Sequence, residues 1–166
     1  MKAILHCDKE WGIGNSNGLM FSIPLDMKFF RETTSGKVVV MGSNTLLSFP
    51  GAKPLKNRTN IVLWPGGKER DDCIITQTLQ EFMAEIKKYN SDDVFVIGGA
   101  MMYRTMLPYC SQVLVTKVDA VGGADTFFEN LDLHPDFTLT DESETYETGG
   151  YNIKFCTYTN NNVAEF

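Results

Sequence analysis

Short apolar runs, rich in β-branched residues, alternate along the chain with longer segments in which apolar and polar residues mix. The runs predict β-strands, because β-branched side chains pack well on a pleated surface. Several runs are apolar at consecutive positions, which is typical of interior strands in a parallel sheet that is covered on both faces. Five strands are predicted in this way, at residues 3–7, 38–41, 60–63, 94–97 and 113–118.

The segments between these strands carry helical patterns. In the third segment, Leu79, Phe82 and Ile86 follow the spacing of one helix face, and Thr78 with Glu81 forms a capping box. The predicted helices cover residues 25–33, 43–49, 78–89 and 100–107. This alternation of strands and helices predicts an α/β fold.

The last quarter of the chain changes pattern, because single polar and apolar residues alternate on both sides of Gly149 and Gly150. This predicts a β-hairpin, whose second strand carries Tyr151, Ile153, Phe155 and Thr157 on one side. We therefore expect one domain over residues 1–160, with a mostly parallel sheet of about eight strands that ends in the antiparallel hairpin, flanked by about four helices. Residues 161–166 are predicted to form a flexible tail.

Composition narrows the classes of partner. The 166 residues carry a net charge of −6, with 43% hydrophobic and 22% charged residues, as in an ordinary globular protein. This charge disfavours nucleic acid, and no basic cluster interleaved with aromatic residues reverses it locally. Neither a signal-peptide pattern nor a run long enough for a membrane span is visible, so a cytoplasmic protein that does not enter membranes is predicted.

Cysteine and histidine usage gives no indication of a metal centre. The two histidines, His6 and His134, do not stand at metal-ligand spacing from cysteines or carboxylates, so no metal is predicted. His6 lies on the first predicted strand, where a satisfied core histidine is the favoured interpretation over a ligand or a catalyst. Four isolated cysteines are predicted to be reduced thiols rather than a disulfide framework: Cys7, Cys73, Cys110 and Cys156.

Two predicted strands are followed by glycine and then by a helix. Gly98 and Gly99 follow one strand, and Gly42 follows another, with Ser43, Asn44 and Thr45 at the start of the next helix. Without a Cβ, such junctions let a phosphate approach backbone N–H groups at the positive end of a helix. A dinucleotide diphosphate held between the two helix starts is one interpretation, and simple tight turns are the other.

A glycine-rich segment at residues 12–18 fails the spacing of a Rossmann fingerprint, so a mobile loop over a site, or a plain surface turn, is predicted there.

Asp26 is the most informative single residue. Pro24 suits the first turn of a helix, which places Asp26 in that turn and Phe30 one turn later on the same face. The carboxylate could bind adjacent N–H donors of a flat heterocycle, or simply interact with its own helix dipole.

Two further residues have a functional and a structural interpretation. Arg58 could clamp a ligand carboxylate through two hydrogen bonds, or it could be a solvated loop charge. Trp64 could stack on an adenine ring, or it could be an aromatic residue at a strand end.

In their order and spacing these features resemble dihydrofolate reductase over almost the full chain, which implies the three-layer fold of that family. The matching motifs are Ile13 and Gly14 with the loop to Phe21, Ile23 to Met27 with Phe30 and Thr34, Met41 and Gly42 with Thr45, Leu55 with Arg58 and Asn60, Ile97 to Gly99 with Tyr103, and Thr116 to Asp119 followed by Asp125 and Thr126.

The resemblance implies hydride transfer from NADPH to C6 of dihydrofolate, with protonation at N5. Asp26, Thr116 and Phe21 match catalytic positions; Asp26 anchors the pterin, and Thr116 assists through an ordered water. Arg58 matches the clamp on the glutamate carboxylate. The implied walls of the pterin and benzoyl pocket are Ile4, Met27, Phe30, Phe49 and Leu55. The implied cofactor positions are Ile13, Gly14, Leu19, Gly42, Ser43, Asn44, Thr45, Leu63, Trp64, Ile97, Gly98, Gly99, Ala100, Met101 and Tyr103, with a cis peptide between Gly98 and Gly99.

The chain departs from the family pattern at several places. Met20 and Phe21 stand where the family usually has Pro-Trp, so the indole N–H that helps to hold an active-site water is absent. Ser43 and Met101 replace residues that usually grip the 2′-phosphate of NADPH, which leaves NADH open as an alternative cofactor; Lys68 and Arg70 are candidate substitutes.

The resemblance further implies antifolate binding. A monomer is expected separately, because this is a small acidic domain without an evident exposed apolar stripe. A catalytically silent binding module and a related reductase of a riboflavin precursor remain the alternative functions.

Overall fold

The computed structural model describes residues 1–16 and 18–166; Asn17, within the predicted mobile loop, lies outside the described residues. The strands are β1 Lys2–Cys7, β2 Gly12–Gly14, β3 Val38–Gly42, β4 Thr59–Leu63, β5 Ile74–Thr76, β6 Val94–Val96, β7 Gln112–Val118, β8 Thr126–Phe127, β9 Phe137–Glu142, β10 Tyr146–Thr148 and β11 Tyr151–Asn160. The helices of more than one turn are α1 Pro24–Thr34, α2 Ser43–Ser48, α3 Leu79–Ile86 and α4 Ala100–Met106.

Nine of these strands form one mixed sheet in the order β10-β11-β7-β1-β6-β3-β4-β5, with β9 also paired to β11. The strands from β7 to β5 are parallel, and β11 joins β7 in the antiparallel sense. Hairpin β10–β11 turns at Gly149 and Gly150, whose φ angles of 59° and 83° suit residues without a Cβ. The predicted α/β class, mostly parallel sheet and terminal hairpin are confirmed.

The two faces of the sheet differ in how they are filled. On one face, Ala3, Leu5 and Cys7 of β1 join a large core with residues of α3 and α4. Because side chains alternate along a strand, Ile4 and His6 lie on the opposite face, which α1 and α2 cover. Helices on both sides give the three layers.

The apolar packing on that second face is divided. One cluster contains Phe21, Ile23, Val118 and Ile153, beside α1. Another contains Val39, Met41, Leu46 and Val62, beside α2. In the strand order, β1 and β6 lie between these clusters, so Ile4 and His6 face the division between α1 and α2.

The structure also corrects several predicted boundaries. The third helix ends at Ile86 rather than at residue 89, and the strand predicted to end at residue 97 ends at Val96. Strands β2, β5, β8 and β9 were not predicted. The first three contain only two or three residues, and five of the six residues of β9 are exposed, so none carries a strong apolar pattern.

The segment predicted as a flexible tail contacts the rest of the chain. The backbone N–H of Ala164 donates to the carbonyl of Pro108 at 2.9 Å, and the rings of Phe166 and Tyr109 lie 5.1 Å apart. Its flexibility stays a prediction.

Candidate active site

The Asp26 carboxylate lies near the head of α1, with 14% of its side chain exposed. Its Oδ2 is 3.0 Å from Nδ1 of His6, whose side chain is 6% exposed. The His6 ring also lies against Phe21, with 5.8 Å between ring centroids. His6 is thus buried, as predicted, but the expectation of a satisfied core histidine is wrong at Nε2, which has no partner among the described residues. Its partner at Nδ1 is the candidate catalytic acid, which the sequence did not indicate.

Strand pairing brings Thr116 beside this pair. Residue 116 on β7 is in register with His6 on β1 and with Phe155 on β11, so the three side chains share one face. Thr116 is buried. The ring of Phe155 packs at a tilt against Phe29 of α1, with 4.7 Å between centroids, so the helix that carries Asp26 contacts this part of the sheet.

Apolar residues line both sides of this position. Ile4 is buried on β1, Phe21 belongs to the cluster beside α1, and Phe49 and Leu55 pack against the cluster beside α2. Met27 lies on α1 and is 55% exposed. Ile4 thus lies on the face between the two helices, with Phe49 and Leu55 on the side of α2 and Met27 on α1.

Arg58 lies at the far end of α1. Its guanidinium carbon is 5.9 Å from the centroid of the Phe30 ring, and Nη1 donates to Thr34 Oγ1 at 3.4 Å. Burial, and secondarily the charge of Arg31, lowers the pKa of Arg58. The cation is therefore only partly hydrated, which strengthens any ion pair that it forms.

Asn60 holds the segment that carries Arg58, a role that sequence reasoning missed. The Asn60 side chain accepts from the N–H of Leu55 at 3.0 Å and donates to the carbonyls of Leu55 and Arg58 at 3.0 and 3.2 Å. The sequence offered one indication of this role: an amide side chain at the start of an apolar strand, which needs hydrogen-bond partners once it is buried.

The two predicted glycine junctions lie side by side. The N–H of Gly42 donates to the carbonyl of Gly98 at 2.9 Å, and the N–H of Ile97 donates to Val40 at 3.0 Å. Thr45 Oγ1 on α2 is 3.0 Å from the position that a Cβ on Gly98 would take. The Gly98-Gly99 peptide is cis, as the resemblance implied. The starts of α2 and α4 thus form one surface.

Tyr103 connects this surface to strand β1. Its hydroxyl donates to the carbonyl of Ile4 at 2.8 Å, and its backbone N–H donates to the carbonyl of Gly99 at 2.9 Å. Burial raises the pKa of Tyr103, and Cys110 and Asp26 add smaller contributions in the same direction. The phenol therefore stays protonated and can donate to Ile4 throughout the neutral pH range.

The other predicted cofactor residues differ in exposure and in the partners that they already have. The Trp64 ring has one face against Gly67, where a Cβ would come within 2.6 Å of its Cγ. Arg70 is already engaged by Asp72, at 2.9 and 2.8 Å, so this candidate for the 2′-phosphate has another partner. Ile13, Gly14, Ser43, Leu63, Ile97 and Ala100 are half-buried, whereas Leu19, Asn44 and Met101 are exposed.

Asp8 organises the loops at the carboxyl end of β1, and it too was missed. Its carboxylate accepts from the backbone N–H groups of Gly12, Glu10 and Gly122 at 2.8, 2.9 and 3.0 Å. Burial acts to raise the pKa of Asp8, but these hydrogen bonds outweigh it and the pKa is lowered. A carboxylate followed by closely spaced glycines was the only indication in the sequence.

The predicted mobile loop is tied at its base. The N–H of Asp125 donates to the carbonyl of Gly14 at 3.0 Å, and the N–H of Ser16 donates to the Asp125 carboxylate at 2.9 Å.

The described residues contain no group of three or more His, Cys, Asp or Glu that could hold a metal ion. Among the same residues, no helix combines the length and apolar character that crossing a membrane requires.

Comparisons with known proteins agree with this arrangement. The family model described as Dihydrofolate reductase matches residues 1–160. The dihydrofolate reductase of Bacillus subtilis (strain 168) is 30% identical over 155 residues, which are 92% of this chain and 90% of that protein. The dihydrofolate reductase of Haemophilus influenzae is 31% identical over 119 residues, 72% of each chain.

A similar solved structure is the dihydrofolate reductase from Enterococcus faecalis complexed with NADP(H) and RAB-propyl. It has a TM-score of 0.83 at 29% identity, and the match covers 96% of this chain and 95% of that one.

Proposed function

This chain belongs to the dihydrofolate reductase family, and from this premise we propose the roles of its residues in the family's reaction. The activity is the reduction of 7,8-dihydrofolate to tetrahydrofolate: a hydride from NADPH is added at C6 and a proton at N5. The observation that carries the assignment of roles is the largely buried Asp26 carboxylate near the head of α1, beside His6 and Thr116 on the sheet.

Asp26 is the anchor of the pterin. A carboxylate can accept two parallel hydrogen bonds from adjacent N–H groups on the edge of a flat ring, and partial burial strengthens both. Its negative charge also favours the protonated form of the bound pterin, which promotes addition of the proton at N5. Thr116 assists through an ordered water, and Phe21 closes the substrate site beside the reacting atoms.

The remaining substrate contacts extend outward from this site. Ile4, Met27, Phe30, Phe49 and Leu55 enclose the pterin and the benzoyl group. Arg58 binds the α-carboxylate of the glutamate portion, because a guanidinium matches a carboxylate with two parallel N–H donors. Antifolates that present the same ring edge use the same site.

The residues around the paired glycine junctions fit a dinucleotide. A Cβ built on Gly42 would meet no described atom within 4 Å, so space is open above the start of α2. NADPH, when bound there, supplies the hydride. The residues that hold it are Ile13, Gly14, Leu19, Gly42, Ser43, Asn44, Thr45, Leu63, Trp64, Ile97, Gly98, Gly99, Ala100, Met101 and Tyr103.

Replacing the acid tests this assignment. Asp26→Asn keeps the size of the side chain but removes the charge, and we expect kcat/KM for dihydrofolate to fall by about 100-fold or more at neutral pH. NADPH oxidation followed by absorbance measures the rate, and circular dichroism checks the fold. Normal turnover by a folded Asp26→Asn variant would refute the role of Asp26.

We further propose that the chain acts as a monomer in the cytoplasm. Cys7, Cys73, Cys110 and Cys156 are free thiols, which suits a reducing compartment. Light scattering of the purified protein at several concentrations tests the oligomeric state, and a mass of twice 18.6 kDa would contradict it.

A further inference from the structure

We propose that His6 is a positioning residue of this active site: through Nδ1 it holds the Asp26 carboxylate in the orientation that binds the pterin. The inference rests on the role proposed for Asp26. His6 lies on strand β1, whereas Asp26 lies on helix α1.

The role proposed for Asp26 determines which atom donates. The pterin anchor is an ionised carboxylate, which can only accept hydrogen bonds, so the His6 tautomer that bonds to Oδ2 at 3.0 Å is the one with its proton on Nδ1. Both side chains are largely buried, at 6% and 14% exposure, so water competes little for this contact. A hydrogen bond to a charged acceptor in such a place is stronger than one at the surface.

Packing alone gives no reason for an imidazole at this position. His6 Nε2 is buried and has no hydrogen-bond partner among the described residues. Leaving a buried polar atom unpaired is unfavourable, and an apolar side chain of similar size would avoid that cost. The favourable contact that offsets it is the one with Asp26.

Positioning is needed because an aspartate on the first turn of a helix rotates easily. The terminal torsion of Asp has a broad preference, whereas two parallel hydrogen bonds to a ring edge require one orientation of the carboxylate plane. His6 can supply a fixed reference, because its backbone pairs with β7 in register with Thr116. Because His6 is fixed on the sheet, its hydrogen bond restrains the orientation of the Asp26 carboxylate on α1.

A double-mutant cycle separates this role from a structural one. His6→Leu removes the donor, and His6→Asn keeps one, since the Asn amide nitrogen is the same number of bonds from Cβ as Nδ1. Both changes are made in the wild type and in Asp26→Asn. Dihydrofolate affinity is measured by quenching of tryptophan fluorescence, turnover by NADPH oxidation, and folding by thermal denaturation.

We expect His6→Leu to weaken dihydrofolate binding by about tenfold in the wild type and by less than about twofold in Asp26→Asn, because the carboxylate it positions is then gone. His6→Asn should recover most of the affinity. Equal losses in both backgrounds, or an Asn variant as weak as the Leu variant, would overturn the proposal.

The same measurements distinguish the two proposals. If Asp26→Asn binds and turns over normally, the proposed role of the acid fails. If Asp26→Asn is impaired while a folded His6→Leu is not, only the inference about His6 fails.

Discussion

At the scale of single residues, Arg58 gives the sharpest prediction about substrate recognition. Arg58→Leu should raise KM for dihydrofolate by about 10- to 100-fold with little change in kcat, because a charge-assisted bidentate contact far from the reacting atoms is lost. Arg58→Lys should recover only part of this effect, since an ammonium cannot form the same pair of bonds. Steady-state kinetics of NADPH oxidation measure both parameters.

Lys56→Leu is the matched control for Arg58. Lys56 carries the same charge two residues earlier and is exposed. If both variants raise KM equally, a general electrostatic attraction, rather than a clamp at Arg58, explains the loss. KM for NADPH should stay unchanged in each variant.

Single residues also show where sequence reasoning reached its limit. Asp26 and Arg58 were identified from neighbours a few positions away, in one helix turn and one strand start. The contacts of His6 with Asp26 and of Asp8 with Gly122 join residues 20 and 114 positions apart. Such pairs depend on strand order and helix placement, so no local pattern could indicate them.

At the scale of elements, the paired starts of α2 and α4 can be tested through their glycines. Gly98 has φ of 136°, a value that side chains with a Cβ rarely adopt, and its Cβ would lie 3.0 Å from Thr45 Oγ1. Gly98→Ala should therefore lower the free energy of unfolding by about 1–3 kcal/mol. It should also raise KM for NADPH, because Thr45 at the start of α2 must shift to make room for the methyl group. Chemical denaturation and steady-state kinetics measure the two effects.

Gly42→Ala is the matched control for stability. The added methyl group would meet no described atom within 4 Å, so the free energy of unfolding should change by less than about 0.5 kcal/mol. A rise in KM for NADPH in this stable variant would support close approach of the cofactor. If Gly42→Ala destabilises the protein as much as Gly98→Ala, the strain argument for Gly98 is wrong.

The same scale explains which elements could be predicted. Strands β3, β6 and β7 lie in the interior, so their apolar runs indicated them directly. Strand β9 has its side chains largely in solvent and depends on pairing with β11, which leaves no apolar pattern to recognise. The terminal hairpin was predictable because Gly149 and Gly150 indicate a turn and the alternating polar and apolar residues on both sides of them indicate strands.

At the scale of the whole molecule, the second face of the sheet carries two separate apolar clusters instead of one. Asp26, Ile4 and Thr116, which we propose to contact the substrate, lie on α1, β1 and β7, and the glycines that we propose to contact NADPH lie at the starts of α2 and α4. Tyr103 on α4 bonds to Ile4 on β1 and to Gly99. The family resemblance, which the comparisons confirm, implied separate sets of substrate and cofactor residues, but not the division of the apolar packing between them.

Asp8 should contribute to the free energy of unfolding, because its carboxylate accepts hydrogen bonds from three backbone N–H groups and so ties the end of β1 to two loops. Its lowered pKa means that the folded state favours the ionised form. The resulting stability is present above the unfolded value of 3.8 and is lost as pH falls through the lower folded value. Asp8→Asn should therefore lower the free energy of unfolding by about 1–3 kcal/mol at pH 7.

The difference between wild type and Asp8→Asn should then narrow as the pH is lowered below about 4, because the wild-type carboxyl becomes protonated and loses the same interactions. Urea denaturation at a series of pH values measures it, with Asp71→Asn as an exposed control. A difference that stays constant from pH 7 to pH 3 would mean that shape, rather than charge, makes Asp8 stabilising. In that case the loops at the end of β1 are held by the geometry of the acceptor alone.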